Sequence, residues 1–343
     1  MSRRPTIADV AQAAGMSIST VDRALNGREK VREETAQRIY LAAEKIGYYG
    51  ASLIRQRLYA DLPEFKFGFL LQKENQPFYL AFRDAIERAA SRLPNVRAHV
   101  EIVFAPSQDP VEQAGLILEL GFRSQVIAAT AVNSHEITSA VSKLKDRKIP
   151  VFSLLNDFAQ GVRQYYIGLN NVKIGRVAGW TIASTQPIPG KVAVFVGGHR
   201  WHGHELRETG FRSYFRENAQ TFTVLDALVN LETRQVTYEA TLDLLYRNQD
   251  LRGIFVAGGG MEGAIQAVRE MRAPGDVSLV VNELTETSTL ALQEKYVTLV
   301  DATPLPKLCE SLLEKMVQAA IEGIDENLGQ LFLQPDLFLP ESI

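Results

Sequence analysis

Residues 258–263, Gly-Gly-Gly-Met-Glu-Gly, spell G-x-G-x-x-G between an apolar run at 253–258 and a helical pattern at 261–271. Glu283 ends the next apolar run. This is the spacing of a dinucleotide-binding turn, where glycines let backbone approach a pyrophosphate and an acid holds a ribose. The turn opens neither a domain nor a first βαβ unit, and no catalytic constellation accompanies it. A NAD-dependent dehydrogenase using this loop is therefore kept only as the alternative reading. His199, His202 and His204, with Trp201 among them, have an H-x2-H-x-H spacing that can ligate zinc. They lack a cysteine or carboxylate partner at a telling distance; such clusters also simply line loops, and contact with a ligand cleft is the further reading. No G-x-S-x-G, P-loop or H-E-x-x-H occurs, so no metal, cofactor or enzymatic activity is expected.

Another stretch, Thr6–Gly27, would act on DNA. It reads as two short helices joined by a tight turn. Ile7, Val10, Ala11 and Ala14 recur at i, i+3, i+4, i+7, the apolar face of the first helix. Gly15 suits the sharp turn, Ser17 an N-cap, and Asn26-Gly27 a helix end. In the second helix Val21, Ala24 and Leu25 point inward, leaving Ser17, Ile18, Ser19, Asp22 and Arg23 outside. Small Ala11, Gly15 and β-branched Val21 let the helices cross closely, as a helix-turn-helix requires. On this pattern alone an ordinary helical hairpin fits as well.

Joined to residues 30–48, KVREETAQRIYLAAEKIGY, the stretch resembles the headpiece of the LacI/GalR family of bacterial transcription regulators. The resemblance is close over about fifty residues and looser to Ile343. It implies a headpiece over 1–48 that binds a palindromic operator as a homodimer. Ile18, Ser19 and Arg23 would face base edges, while Ser17, Thr20 and Asn26 would meet phosphates. Thr6 is counted with these DNA contacts. Asp22 stands where the family often has Ser. A third helix, 33–46, has Ala36, Ile39, Tyr40, Ala43 and Ile46 inside. Arg32 replaces the usual capping Ser there, weakening the helix start by roughly 1 kcal/mol.

Residues 49–64 form the hinge linker, where the family carries a short helix whose leucine wedges into the minor groove. Leu53 and Leu58 are the candidates. Gly50 replaces the usual proline, the Ala-Arg-Ser-Leu run is missing, and Arg57 holds the usual lever position. A plain amphipathic connector is the alternative, and the short helix is marginal on its own.

The chain has 343 residues, 46% hydrophobic and 22% charged, enough for two or three globular cores. Its single cysteine, Cys309, permits no intrachain disulfide and suits a reducing cytoplasm. No apolar run follows Met1-Ser2-Arg3-Arg4, and none reaches about 18 residues, so neither export nor a membrane span is expected. Net charge is −3, but residues 1–60 carry ten Lys/Arg against six Asp/Glu, a +4 head that leaves −7 on the rest. A basic head on an acidic body fits phosphate contact by the head alone.

From Phe65 onward, ten strand-length apolar runs alternate with helical patterns at 79–93, 111–120, 134–147, 172–184, 205–218, 233–247, 261–271 and 305–322. Continuous apolar strands fit sheets covered on both faces. The expectation is α/β: two doubly wound parallel-sheet lobes behind an all-α headpiece. Lobe 1 would comprise 65–163 with 288–305, and lobe 2 164–287 with 306–343. The body resembles periplasmic sugar-binding proteins of type I, so ligands belong outside the carboxyl ends of strands.

The same resemblance selects the ligand candidates. Gln76, Phe78 and Tyr79 match Asn-Pro-Phe-Phe, whose amide and aromatics embrace a sugar ring, though a proline-started helix with Phe78 in its core also fits. Asn156 and Asp157 stand where an Asp-Arg pair is usual. Arg207, three residues before Gly210, is the ligand arginine. Glu283 takes the place of a sugar-binding Asp, and Asp301 is a further candidate. The expected function is a ligand-responsive regulator, a repressor, sensing a sugar, polyol or sugar acid.

Overall fold

The structure, a computed structural model, describes residues 4–26, 31–58 and 62–343, with backbone alone at 33 and 55–58. Two compact units emerge, 1–65 with 91–99 and 66–90 with 100–343.

The first unit is built on helices α1 (Ile7–Ala14), α2 (Ile18–Asn26), α3 (Glu33–Lys45) and α4 (Ala51–Leu58). α1 starts with a capping box in which Thr6 and Asp9 satisfy each other's end of the turn. Gly15 ends it in the left-handed region, φ 65°, as the tight turn requires. The Ser17 hydroxyl accepts the Thr20 N–H at 3.2 Å, the expected N-cap of α2. Arg32 caps α3 with no side-chain bond. Val10, Ala14, Val21, Leu25, Ile39 and Ala43 fill one core. Gly27 and residues 28–30 lie outside the described residues.

The linker differs from expectation. α4 is already helical, because Ile54 and Tyr48 are buried in that same core. A Cβ on Gly50 would collide with the Tyr48 ring and crowd Leu25, so close packing puts glycine where the family has proline. The head's core therefore runs past residue 48.

The second unit carries both lobes. In chain order come β1 (Glu64–Gln72), α5 (Pro77–Ser91), β2 (Arg97–Ala105), α6 (Pro110–Arg123), β3 (Val126–Ala129), α7 (His135–Asp146), β4 (Val151–Leu154) and β5 (Tyr165–Leu169). Next are α8 (Asn171–Thr185), β6 (Lys191–Val196), α9 (His202–Asn218), β7 (Thr223–Val224), β8 (Leu228–Val229), α10 (Arg234–Arg247), β9 (Leu251–Val256), α11 (Met261–Met271), β10 (Ser278–Asn282), α12 (Glu286–Gln293) and β11 (Leu299–Ala302). The chain ends with α13 (Leu305–Glu322), β12 (Gly329–Leu333) and β13 (Asp336–Phe338).

One sheet has the order β12-β5-β4-β3-β1-β2, the other β13-β11-β10-β9-β6-β7 with β8 also on β6. Strands pair in parallel wherever described, except antiparallel β13 on β11. Both sheets have fully buried central strands, each with its own apolar core.

Three lobe assignments are corrected, the first being that β12 pairs with β5 in the first sheet although 306–343 was expected in the second lobe. β5 extends the first sheet, with Phe152 opposite Tyr165, instead of starting the second lobe. β11 belongs to the second sheet, with Asn282 opposite Asp301, instead of returning to the first lobe. The chain thus crosses after β5, again after β11, and last between β12 and β13.

Candidate functional site

On the head, the exposed face of α2 presents Ile18, Ser19, Arg23 and Asn26, and Ile18 is 58% exposed although apolar. Ser17 bonds Thr20 and Ser19 through hydroxyls, and Asn26 donates to Asp22 at 2.7 Å. Asp22's charge is thereby partly occupied by a neighbour on its own helix. Leu53 is on the surface of α4, and the Leu58 side chain lies outside the described residues.

In the body, a cavity of about 140 Å³ opens between the two sheets' carboxyl ends. Gln76, Phe78, Tyr79, Asn156, Arg207 and Glu283 all line it. Pro77 does start α5, but Phe78 turns to the cavity while Phe82 takes the core position. Phe78 and Tyr79 meet edge to face with centroids 5.1 Å apart. Such an aromatic corner suits the apolar C–H face of a sugar ring.

Helix packing aims Arg207. α8 and α9 cross where Gly175 and Gly210 face backbone so closely that no Cβ fits at either. The Arg207 Nε then donates to Asn171 Oδ1 at 2.8 Å and Nη1 to the Ala257 carbonyl at 3.0 Å. The rest of the fork faces the cavity.

Glu283 follows β10 with φ 70°, a conformation costly for a residue with a Cβ. Its carboxylate accepts the Thr303 hydroxyl at 2.6 Å and the Thr303 N–H at 3.1 Å. Burial pushes its carboxyl up to about 7 despite these bonds. Asp301, in the adjacent strand, is placed behind the cavity and not on its wall. Both its oxygens are buried without a partner among the described residues, and burial raises it to about 6.

Asp157 is not in the cavity. Arg163, six residues on, holds it with Nη2 to Oδ2 at 2.9 Å, and Ser153 donates to it at 2.8 Å. The pair seals the end of β4 instead. Asn156 is placed on the wall but works mainly as a clasp between lobes. It accepts the Gly203 N–H at 2.8 Å while donating to the Ala131 carbonyl.

Trp201 and His204, from the histidine cluster read as a possible cleft lining, complete the cleft together with Lys73 and Glu232, which the sequence did not single out. Trp201, from the loop before α9, is buried in the first lobe's core and donates to Gln108 at 3.2 Å. Lys73, after β1, reaches across to Glu232, before α10, at 3.1 Å. His204 accepts the Gly197 N–H on Nδ1 and sets Nε2 3.7 Å from Glu232. Burial lowers this histidine to about 4, so it is neutral at pH 7. Burial alone would raise Glu232, but the Nε2–H side of the His204 ring, the Lys73 ammonium and hydrogen bonds from Lys73 and Gly259 bring it below the ordinary range. His202 faces Glu205 on the outside, so the histidines do not converge.

The Gly258–Gly263 loop also finds its use. A Cβ on Gly258 would strike His204, on Gly260 Thr237, and on Gly263 the Arg234 carbonyl. Gly260 also has φ 91°. These glycines admit the protein's own groups, which leaves the dinucleotide reading without the open cradle that it needs.

Residues 6–50 match the family described as bacterial regulatory proteins, lacI family, and residues 67–321 the periplasmic binding protein domain. Among similar chains is the HTH-type transcriptional regulator DegA of Bacillus subtilis (strain 168), 24% identical over 289 residues, 81% of either chain. The HTH-type transcriptional regulator GalS of Salmonella typhimurium is 24% identical over 269 residues, 77% of this chain and 75% of that one. GanP, a glucose-galactose binding protein from Geobacillus stearothermophilus, superposes with a TM-score of 0.74 at 14% identity, over 82% of this chain and 99% of that one. That last likeness concerns the fold alone.

Proposed function

Because the chain belongs to the LacI family of bacterial regulatory proteins, with a periplasmic binding protein domain as its body, we propose that it is a sugar-responsive repressor acting as a homodimer on a palindromic operator. The observation that carries the sensing half is the cavity, where an aromatic corner, an arginine fork and a strand-end carboxylate converge. Phe78 and Tyr79 would cover one face of a sugar ring. Arg207 would donate to its hydroxyls, and Gln76 and Glu283 would fix its orientation. Residues of both lobes take part, so a ligand would bind the closed cleft more tightly than the open one. Only such differential affinity can shift the equilibrium between lobe arrangements.

For the DNA half, α2 would enter the major groove with Ile18, Ser19 and Arg23 toward base edges. Ser17, Thr20, Asn26 and Thr6 would set register on phosphates, and Leu53 or Leu58 would reach the minor groove. Lobe closure would alter the spacing of paired hinges and so their fit to the operator.

A panel of hexoses, pentoses and polyols tested by thermal shift checks the sensing half. A saturable rise in melting temperature is expected for at least one, lost in Arg207→Ala. A rise that survives Arg207→Ala would put the ligand elsewhere.

A further inference from the structure

The cavity's unpaired groups bear on the ligand's class, given that the reading above places a ligand there. Lys73 and Glu232 neutralise each other in an ion pair, and His204 is neutral. On the cavity wall that leaves Arg207 against Glu262 and Glu283, with Asp301 behind it, and no ion pair joins the arginine to any of these acids among the described residues. Carboxyls therefore outnumber the one cation. The unsatisfied atoms lean the same way. Asn282, on the cavity wall and 4% exposed, has a buried Oδ1 with no partner among the described residues, and both Asp301 oxygens in the neighbouring strand are likewise orphaned. A buried acceptor without a donor is costly, and a buried unpaired carboxylate more so. The orphan acceptor of Asn282 on the wall and a surplus of carboxyls call for a ligand that brings donors and a cation. A carboxylate ligand would add another acid to the same space.

We propose that the ligand is a polyhydroxylated amine of hexosamine size, its ammonium set by Glu283 with the field of Asp301 behind the wall, and its hydroxyls by Arg207, Asn282 and Gln76. The groups that share this surrounding are Asp301 of β11, Arg207 and His204 of α9, Glu232 before α10, Glu262 of α11, Lys73 after β1 and Tyr79 of α5. Two of the acids, Glu283 and Asp301, have carboxyls raised by burial, to about 7 and about 6. An ammonium beside Glu283, with Asp301 in the strand behind, favours the ionised forms, so binding releases protons. Affinity for the amine therefore falls as pH drops through 7 and 6, while affinity for a hexuronic acid would rise.

The test is calorimetry on the full chain with amine, neutral and acid members of one hexose series: hexosamines bearing the amine at C2 or C6, the parent hexoses, and the hexuronic acids. A hexosamine is expected to bind roughly ten-fold or more tighter than its parent hexose at about pH 7, as one added charge-assisted bond gives. That advantage should shrink at about pH 5 and in Glu283→Gln, with Asp301→Asn as a second variant. If a neutral hexose or hexuronic acid binds as tightly as the amine and Arg207→Ala abolishes it, the site stands and the amine is wrong. If no member binds saturably, both the site and the amine are overturned.

Discussion

At the end of β10, the carboxylate of Glu283 is satisfied by Thr303 on both oxygens yet raised to about 7 by burial. A carboxyl whose folded value exceeds its ordinary 4.5 takes up a proton on folding between those two values. Its contribution to stability is thus lost as pH rises through 4.5 to 7. Glu283→Gln removes that loss. Its melting temperature relative to the parent should be higher at about pH 8 than at about pH 5, measured without ligand. An equal difference at both pH values would mean that the carboxyl titrates normally. Glu283 was legible because it ends an apolar run, where such folds put ligands. Asp157 was equally conspicuous, but Arg163 lies six residues on and binds it, a choice that spacing alone does not reveal. Lys73 and Glu232 stayed hidden because 159 residues separate them and neither belongs to a local pattern.

Among the elements, the helices from α5 to α11 and α13 were readable from their periods, since each buries one stripe. Strand partners were less so. β5 joins β4 after ten residues of loop without an intervening helix, and β11 follows the short α12, so neither crossing has a local signature. The hinge shows the same limit at smaller scale. Gly50 looked like a weak point, but it makes room for Tyr48 and lets Ile54 into the head's core. Ile54, 1% exposed, anchors α4. Ile54→Ala should cost the DNA-free protein about 2–4 kcal/mol in the head's transition and free the α4 amides to exchange. Unchanged protection of those amides would show that propensity, and not docking, holds α4.

In the body as a whole, the lobes meet through Trp201 in the first lobe's core, Asn156 on Gly203 and Lys73 on Glu232. These contacts are made by the protein's own groups, so the lobe arrangement has support of its own. Lys73→Met leaves the buried Glu232 carboxylate without its ion-pair partner, and its desolvation cost should favour an open cleft where water reaches it. Small-angle scattering of that variant should show a larger ligand-free radius of gyration, reversed by saturating ligand. No difference from the parent would mean that Trp201 and Asn156 hold the lobes by themselves. The claim that joins body to head is tested most directly by DNA affinity. Duplexes enriched from a random pool by the full chain would be titrated with and without the ligand found by calorimetry, for the parent and Arg207→Ala. The account predicts a ligand-dependent change of roughly five-fold or more in the parent, the scale of typical coupling energies, and none in Arg207→Ala, whose ligand-free affinity stays near normal. An identical ligand response in Arg207→Ala, or none in the parent, would contradict it.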